Sequence, residues 1–438
     1  MRRIKEKLMR YRISPFIVLF LGMSFLWSSP GWADDKDVLI QKLTDRLAQL
    51  EQKVNSLEQK TAAAVASASP AAAASAPPMI TMPTIHGFID TTYNYNFHKV
   101  ASGTTVLGNP NTSTAGPNNV SAFVTKANNI TFNNAQILLT GAVKDTNYVI
   151  KLDAGTDAMV IHPTSGVPGG GAVTGEVDVQ EAYFTTPLFN SGVTLKLGKF
   201  VTLNGIEVIE SMNDPTISRG YLFGMAEPYT NTGFLLSKPL PSFLSGLTLQ
   251  AGVVNGWDTL VGNNPGETFL GGLGINYGDI ATGELSVYIG PAQTGSSSHN
   301  RSTVDLTIAN KPLPKLLPAL TLNLQGNYGQ EGKIGGVRGR VDHWYGFGVQ
   351  PVYQFTDKFS LGGRIEFMEN KNGSRFGTNV GGKLTNFTIT PSYKLNDSVT
   401  ARMEYRHDMG DKSFFAGKDG VFDQKTMDQV MAEFIYSF

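Results

Sequence analysis

The sequence predicts an all-β fold, a transmembrane antiparallel β-barrel of about 16 strands with a short coiled-coil helix in front of it. Three observations carry this. Apolar residues recur at period two, in stripes about 22 residues apart, from Thr84 onward. The segments between stripes alternate between long polar connections and tight turns. Finally, Val430, Ala432, Phe434, Tyr436 and Phe438 form one apolar stripe opposite Met431, Glu433, Ile435 and Ser437, and the chain stops on an aromatic residue suited to a membrane–water interface.

The amino end reads as a secretory address. Arg2, Arg3, Lys5, Lys7, Arg10 and Arg12 form a basic region, Phe16 to Trp27 an apolar one, and Gly31-Trp32-Ala33 a small-residue cleavage site. The apolar run is too short for a bilayer-crossing helix, so residues 1–33 are expected to be a signal peptide. Their removal leaves 30 basic against 35 acidic residues, a net charge of −5, and argues against a nucleic-acid partner. With 48 glycines and no cysteine, the chain is neither a disulfide-stapled domain nor a carrier of c-type haem, iron–sulfur clusters or thiolate-bound zinc. No cofactor and no metal site are expected.

Residues 34–60 carry Ile40, Leu43, Leu47, Leu50, Val54 and Leu57 in alternating steps of three and four, an a/d heptad seam. Under three heptads, roughly 30 Å of helix, is marginal alone. The strict spacing favours self-association, dimer or trimer, over a helix lying along its own barrel. The Ala/Ser/Pro segment 61–83 has no apolar period and reads as a periplasmic linker.

The barrel is expected over 84–438. Long connections are predicted at 101–126, 155–177, 203–227, 290–300, 330–340, 370–382 and 411–423, with tight turns at Lys144–Asn147, Thr356-Asp357 and Asn396-Asp397. Leu320, Leu322, Leu324, Gly326 and Tyr328 alternate with Thr321, Asn323, Gln325 and Asn327, one face apolar and the other polar. An even strand count leaves both barrel ends in the periplasm, sets Val430–Phe438 beside a first strand near Gly87–Phe97, and at this size encloses water.

Parity then assigns the lumen. A charge on the lipid face near mid-membrane costs roughly 2–4 kcal/mol, whereas a lumen charge stays hydrated. Lys151, Asp153, Arg364, Glu366, Arg402, Glu404, Arg406 and Asp408 fall in the lumen phase. They are expected to line the channel, either as a transverse field or as mutually paired wall charges. The 203–227 segment holds Glu207, Glu210, Asp214, Arg219, Tyr221, Phe223 and Glu227, and is too long and apolar for a plain surface loop. It is a candidate constriction folded into the lumen.

Hydrolase chemistry is not expected, because none of His86, His98, His162, His299, His343 and His407 is followed two residues later by serine. His343 and His407 have lipid-side parity near strand ends. The Gly166–Gly175 run lacks the Lys-Ser/Thr ending of a phosphate loop and reads as a plain loop.

One resemblance is specific. His86-Gly87-Phe88-Ile89-Asp90, Glu181-Ala182-Tyr183, Gly198-Lys199-Phe200, Gly205-Ile206-Glu207, Ser218-Arg219-Gly220-Tyr221-Leu222-Phe223-Gly224, Glu227-Pro228, Thr232-Gly233 and Val254-Asn255-Gly256-Trp257-Asp258, in that order, resemble the OmpL-like β-barrel porin family, clearly from His86 to Asn264. The resemblance implies an outer-membrane porin for passive diffusion of small hydrophilic solutes or ions, and no catalytic residues. An outer-membrane barrel is expected to have outer-membrane lipids and the barrel-assembly machinery as partners, with the terminal Phe438 as an assembly signal. The coiled coil is similar to periplasmic extensions of some trimeric sugar porins, which favours a homotrimer. The alternatives are a barrel-anchored envelope tether and a sheath for an electron-transfer partner.

Overall fold

Sixteen antiparallel strands close into a barrel. They are β1 Thr84–Asn96, β2 Asn129–Val143, β3 Thr146–Ala154, β4 Val177–Leu188, β5 Val193–Val201, β6 Thr230–Pro239, β7 Leu247–Val254, β8 Thr268–Asn276, β9 Thr282–Gln293, β10 Ser296–Asn310, β11 Leu320–Gly332, β12 Val341–Gln354, β13 Phe359–Asn370, β14 Gly382–Lys394, β15 Val399–Gly410 and a closing strand Thr426–Ser437. The computed structural model describes residues 83–99, 123, 126–162, 176–278, 280–332, 341–376, 380–418 and 421–438. The expected signal peptide, coiled coil and nearly all of the linker lie outside the described residues. No described helix is long and apolar enough to cross a membrane, which says nothing of strands.

Closure follows from the alternation of the terminal residues. The closing strand pairs with β15 on one side and β1 on the other, with Phe88 opposite Ser437 and Asn96 opposite Gln429. Gly87 and Phe438 exchange two backbone hydrogen bonds of 3.0 Å, so the last residue completes the cylinder. Phe434, Tyr436 and Phe438 face outward, while Met431, Glu433 and Ile435 are buried inside.

The same two-residue rhythm runs around the wall. On β12, Tyr345 and Phe347 are exposed outside while Trp344 and Gln350 are buried inside. Near the strand ends on the outer face, His343 shares a 3.1 Å hydrogen bond with Tyr328, and His407 contacts Asp428 at 2.7 Å. Tight turns join strands at one end, for example Lys144-Asp145, where Lys144 takes a left-handed φ of 54°.

Two connections differ from expectation, the first being a long β7–β8 connection, residues 255–267, that is absent from the predicted set. The second is the predicted long loop 290–300, which is a turn between β9 and β10, because β9 runs to Gln293 and β10 begins at Ser296. The Ser/His/Asn run there pairs through its main chain, with a bulge between Ser296 and Asn300. Strand pairing uses backbone groups that every residue but proline has, so a polar segment remains strand. The long β3–β4 connection opens with a short helix α1, Thr156–Ile161.

Candidate functional site

The connection from β5 to β6, residues 202–229, leaves the wall and crosses the interior. Its base is pinched where the Thr202 amide donates to the Tyr229 carbonyl at 3.1 Å. The Leu203 amide donates to the Tyr288 hydroxyl on β9 at 3.0 Å, and the Gly205 amide to Asp305 on β10, also at 3.0 Å.

From there the loop attaches to opposite sides of the barrel. Toward β2–β4, Glu210 accepts from Lys151 at 2.5 Å and from Gln180 at 2.7 Å, and lies 3.4 Å from the Gln136 amide nitrogen. Toward β12 and β13, Glu207 accepts from Arg364 at 2.7 Å and from Gln350 at 2.8 Å, while also taking the Gly220 amide of its own loop at 2.6 Å. Glu227 accepts from Gln325 on β11 at 2.9 Å.

Wall carboxylates meanwhile receive the loop's backbone. Glu366 on β13 accepts the Tyr221 and Leu222 amides at 2.5 and 2.9 Å. Glu404 on β15 accepts those of Ile217 and Ser218 at 2.5 and 3.1 Å. A segment without regular hydrogen bonding must satisfy each buried N–H somewhere, and charged acceptors form the stronger bonds. Gly220 sits where a Cβ would lie 2.5 Å from the Glu366 oxygens, so a side chain there would push this carboxylate from its place.

Wall cations receive the loop's carbonyls. Arg402 pairs with Glu433 of the closing strand and donates to the carbonyls of Asp214 at 2.8 Å and Ser211 at 3.0 Å. Arg406 pairs with Asp408 and donates to the Arg219 carbonyl at 2.7 Å, while the Tyr221 hydroxyl donates to Asp408 at 2.5 Å. Inside the loop, Asp214 pairs with Arg219 at 3.0 Å. Phe223 packs against Tyr229 and Phe123, with ring centroids 5.2 and 5.8 Å away. Asp153 alone of the wall set contacts only wall residues, accepting from Gln136 at 2.8 Å and Asn134 at 3.0 Å.

All eight wall residues singled out by parity therefore face inward, and seven of them hold the loop or the partner of a loop contact. Parity applied to the closing strand also puts Glu433 inside. Alternation put Gln325 on the polar face of its strand, whereas Gln136, Gln180 and Asp305 carried no signal in the sequence, because amides and single acids are ordinary on either face of a strand. Below the loop, a cavity of about 350 Å³ opens among Met212, Pro215, Gln354, Lys358, Ser392 and Lys394. Near the rim, Asp258 accepts the Tyr229 and Thr230 amides at 2.7 and 2.9 Å. Burial pushes its carboxyl up to about 6 against the opposing pull of those hydrogen bonds. Among the described residues no group of His, Asp and Glu is arranged to hold a metal ion.

The sequence that forms this barrel and its loops is matched by a family model. The model, described as "Putative beta-barrel porin-2, OmpL-like", covers residues 83–438. The chain belongs to this porin family. It is an outer-membrane channel for passive diffusion. Solved structures with a similar fold include the anion-selective porin from Comamonas acidovorans, with TM-score 0.53 and 10% identity over 82% of this chain and 99% of that one. The outer membrane channel DcaP of Acinetobacter baumannii is similar at TM-score 0.52 and 10% identity, over 81% of this chain and 97% of that one. At such identity the likeness concerns the fold alone. No curated protein matches the chain.

Proposed function

We propose that this porin passes small hydrophilic solutes through narrow gaps beside the crossing loop instead of through a wide central opening. The observation that carries this reading is the attachment of one loop to opposite walls, Glu210 to Lys151 of β3 and Glu366 of β13 to Tyr221. Lys151, Asp153, Arg364, Glu366, Arg402, Glu404, Arg406 and Asp408 line the channel, and all but Asp153 moor the loop. Glu207, Glu210, Asp214, Arg219, Tyr221 and Phe223 form the constriction. A loop filling the lumen leaves little room for a sheathed electron-transfer partner.

Around the channel, outer-membrane lipids contact the apolar outer stripe, and the barrel-assembly machinery inserts the chain. The heptad seam at 34–60 supports a homotrimer with its coiled coil in the periplasm. Planar-bilayer recording on the purified full chain tests the central reading. Small stepwise conductance that admits short but not long polyethylene glycols is expected, and folded protein that produces no steps would overturn it.

A further inference from the structure

We propose that the cavity beneath the loop is a binding station for small oxyanions such as short-chain carboxylates, with Lys358 and Lys394 supplying the charge that holds them. The inference rests on the porin reading above and adds a site and a solute class to it.

The cavity is roofed by the loop and walled by five neighbouring strands, β12 to β15 and the closing strand. Met212, Asp214 and Pro215 form the roof. The loop rests directly on the wall here, since a Cβ at Gly362 would lie 2.2 Å from the Pro215 carbonyl oxygen. The inward phase of β13 that carries Arg364 continues through Gly362 and Ser360 to Lys358, and that of β14 runs from Thr390 through Ser392 to Lys394. Register then gathers these residues into one patch. Ser360 lies opposite Ser392, Ser392 opposite Arg402 and Lys394 opposite Thr400, while the Lys394 amide donates to the Lys358 carbonyl at 2.9 Å. Arg402 and Ile435 are buried at the top of the space, whereas Lys358, Lys394 and Asp397 are exposed at its foot. It therefore opens toward the tight turns, the periplasmic end of an outer-membrane barrel.

The sign of the preference comes from which lining charges are already committed. Arg402 is paired with Glu433, and Asp214 with Arg219. Lys358 and Lys394 form no ion pair among the described residues, and the one further charge on the lining is the Asp397 carboxylate. Two uncommitted cations thus face one uncommitted acid. The hydroxyls of Ser360, Ser392 and Thr400 stand between them as donors for oxyanion oxygens. A confined space with an excess of one sign concentrates ions of the other.

The residue type suits passage as well as binding. An ammonium on a flexible stem is a hydrated point charge without the fixed fork of an arginine, so it holds an anion weakly enough to release it. The arginine of the same cavity is the one that the loop and Glu433 occupy. A volume of about 350 Å³ lies at the small end of ligand sites and admits a short carboxylate with some of its water.

Single-channel recording of the full chain tests this. In a KCl gradient wild type is expected to favour Cl⁻ over K⁺, more strongly at about 0.1 M than at about 1 M salt, because the screening length falls from about 10 to about 3 Å. Potassium succinate added to symmetric KCl should reduce the Cl⁻ current saturably, the mark of a shared site. Lys358→Gln with Lys394→Gln should bring the ion preference to parity and raise the succinate concentration for half-block about tenfold or more. K358R/K394R should retain both properties. Lys315→Gln removes a charge from an exposed position in the β10–β11 connection, at the same end of the barrel but outside the cavity, and should leave both unchanged. The exposed places of Lys358 and Lys394 at strand ends favour normal folding of these variants. Wild-type channels that favour K⁺, K358Q/K394Q channels indistinguishable from wild type, or an equal effect of K315Q would overturn the site while the porin reading stands. The absence of any steps from folded wild type defeats the porin reading itself.

Discussion

Replacing Glu366 by glutamine tests whether the wall acids hold the loop in place. The carboxylate uses separate oxygens for the Leu222 amide at 2.9 Å and the Tyr221 amide at 2.5 Å, and takes a third bond from Asn386 at 2.7 Å. Glutamine keeps one carbonyl oxygen and presents an NH₂ group where the second oxygen stood. One buried N–H then faces another donor, and the remaining bonds lose the benefit of charge. An orphaned buried donor costs about 1–3 kcal/mol, and the loss of charge assistance brings the change to about 2–4 kcal/mol. At about 1.4 kcal/mol per factor of ten, the attached loop becomes less favoured by about thirty- to several-hundred-fold. If attachment limits the passage, E366Q channels should show larger unit conductance or frequent transitions to a larger level, with normal folded yield. Traces identical to wild type from folded E366Q protein would refute the idea that this carboxylate restrains the loop.

Two further outcomes follow from the same contacts. Arg402→Met leaves Glu433 buried without its cation, which should destabilise the barrel by about 3–5 kcal/mol. R402M should therefore unfold at lower temperature in heat-modifiability gels, with partial recovery in R402M/E433Q, and an unshifted single variant would remove Arg402 from the stabilising set. Asp258 has a carboxyl raised from 3.8 to about 6, chiefly by burial, so the folded state holds its proton to higher pH than the unfolded chain. Its contribution is greatest below about 4 and is lost as pH rises to about 6. Asp258→Asn preserves the oxygen that accepts both amides. The difference in thermal transition between wild type and D258N should accordingly shift in favour of wild type on acidification through that window, and a pH-independent difference would contradict it.

The barrel was legible because a strand's period of two is written directly in which residues are apolar. Val430 to Phe438 announced both a strand and its lipid face, and the pairing of Phe438 with Gly87 followed once the strands had to close. The 290–300 segment has the polarity of a loop, yet it pairs as strand because pairing depends on the main chain. Alternation also put Arg364, Glu366, Arg402 and Glu404 on the inner face, but periodicity cannot say what a side chain meets there. Their partners, Ser218, Tyr221 and Asp214, lie far away in sequence on a segment with no repeat of its own.

The union of the first and last strands also bears on how the protein can be made. Every strand but these two finds both its neighbours close by in the sequence, whereas β1 waits for Gln429–Ser437 at the far end of the chain. Until that stretch has paired, the sheet carries two open edges whose backbone groups can template pairing with any other extended chain. A partly assembled or truncated molecule lacking this one strand is thus an aggregation hazard, however well its other hairpins have formed. Docking of Gln429–Ser437 on β1 converts a curved sheet with reactive margins into a surface with none, which makes this single pairing the safeguard against misassembly.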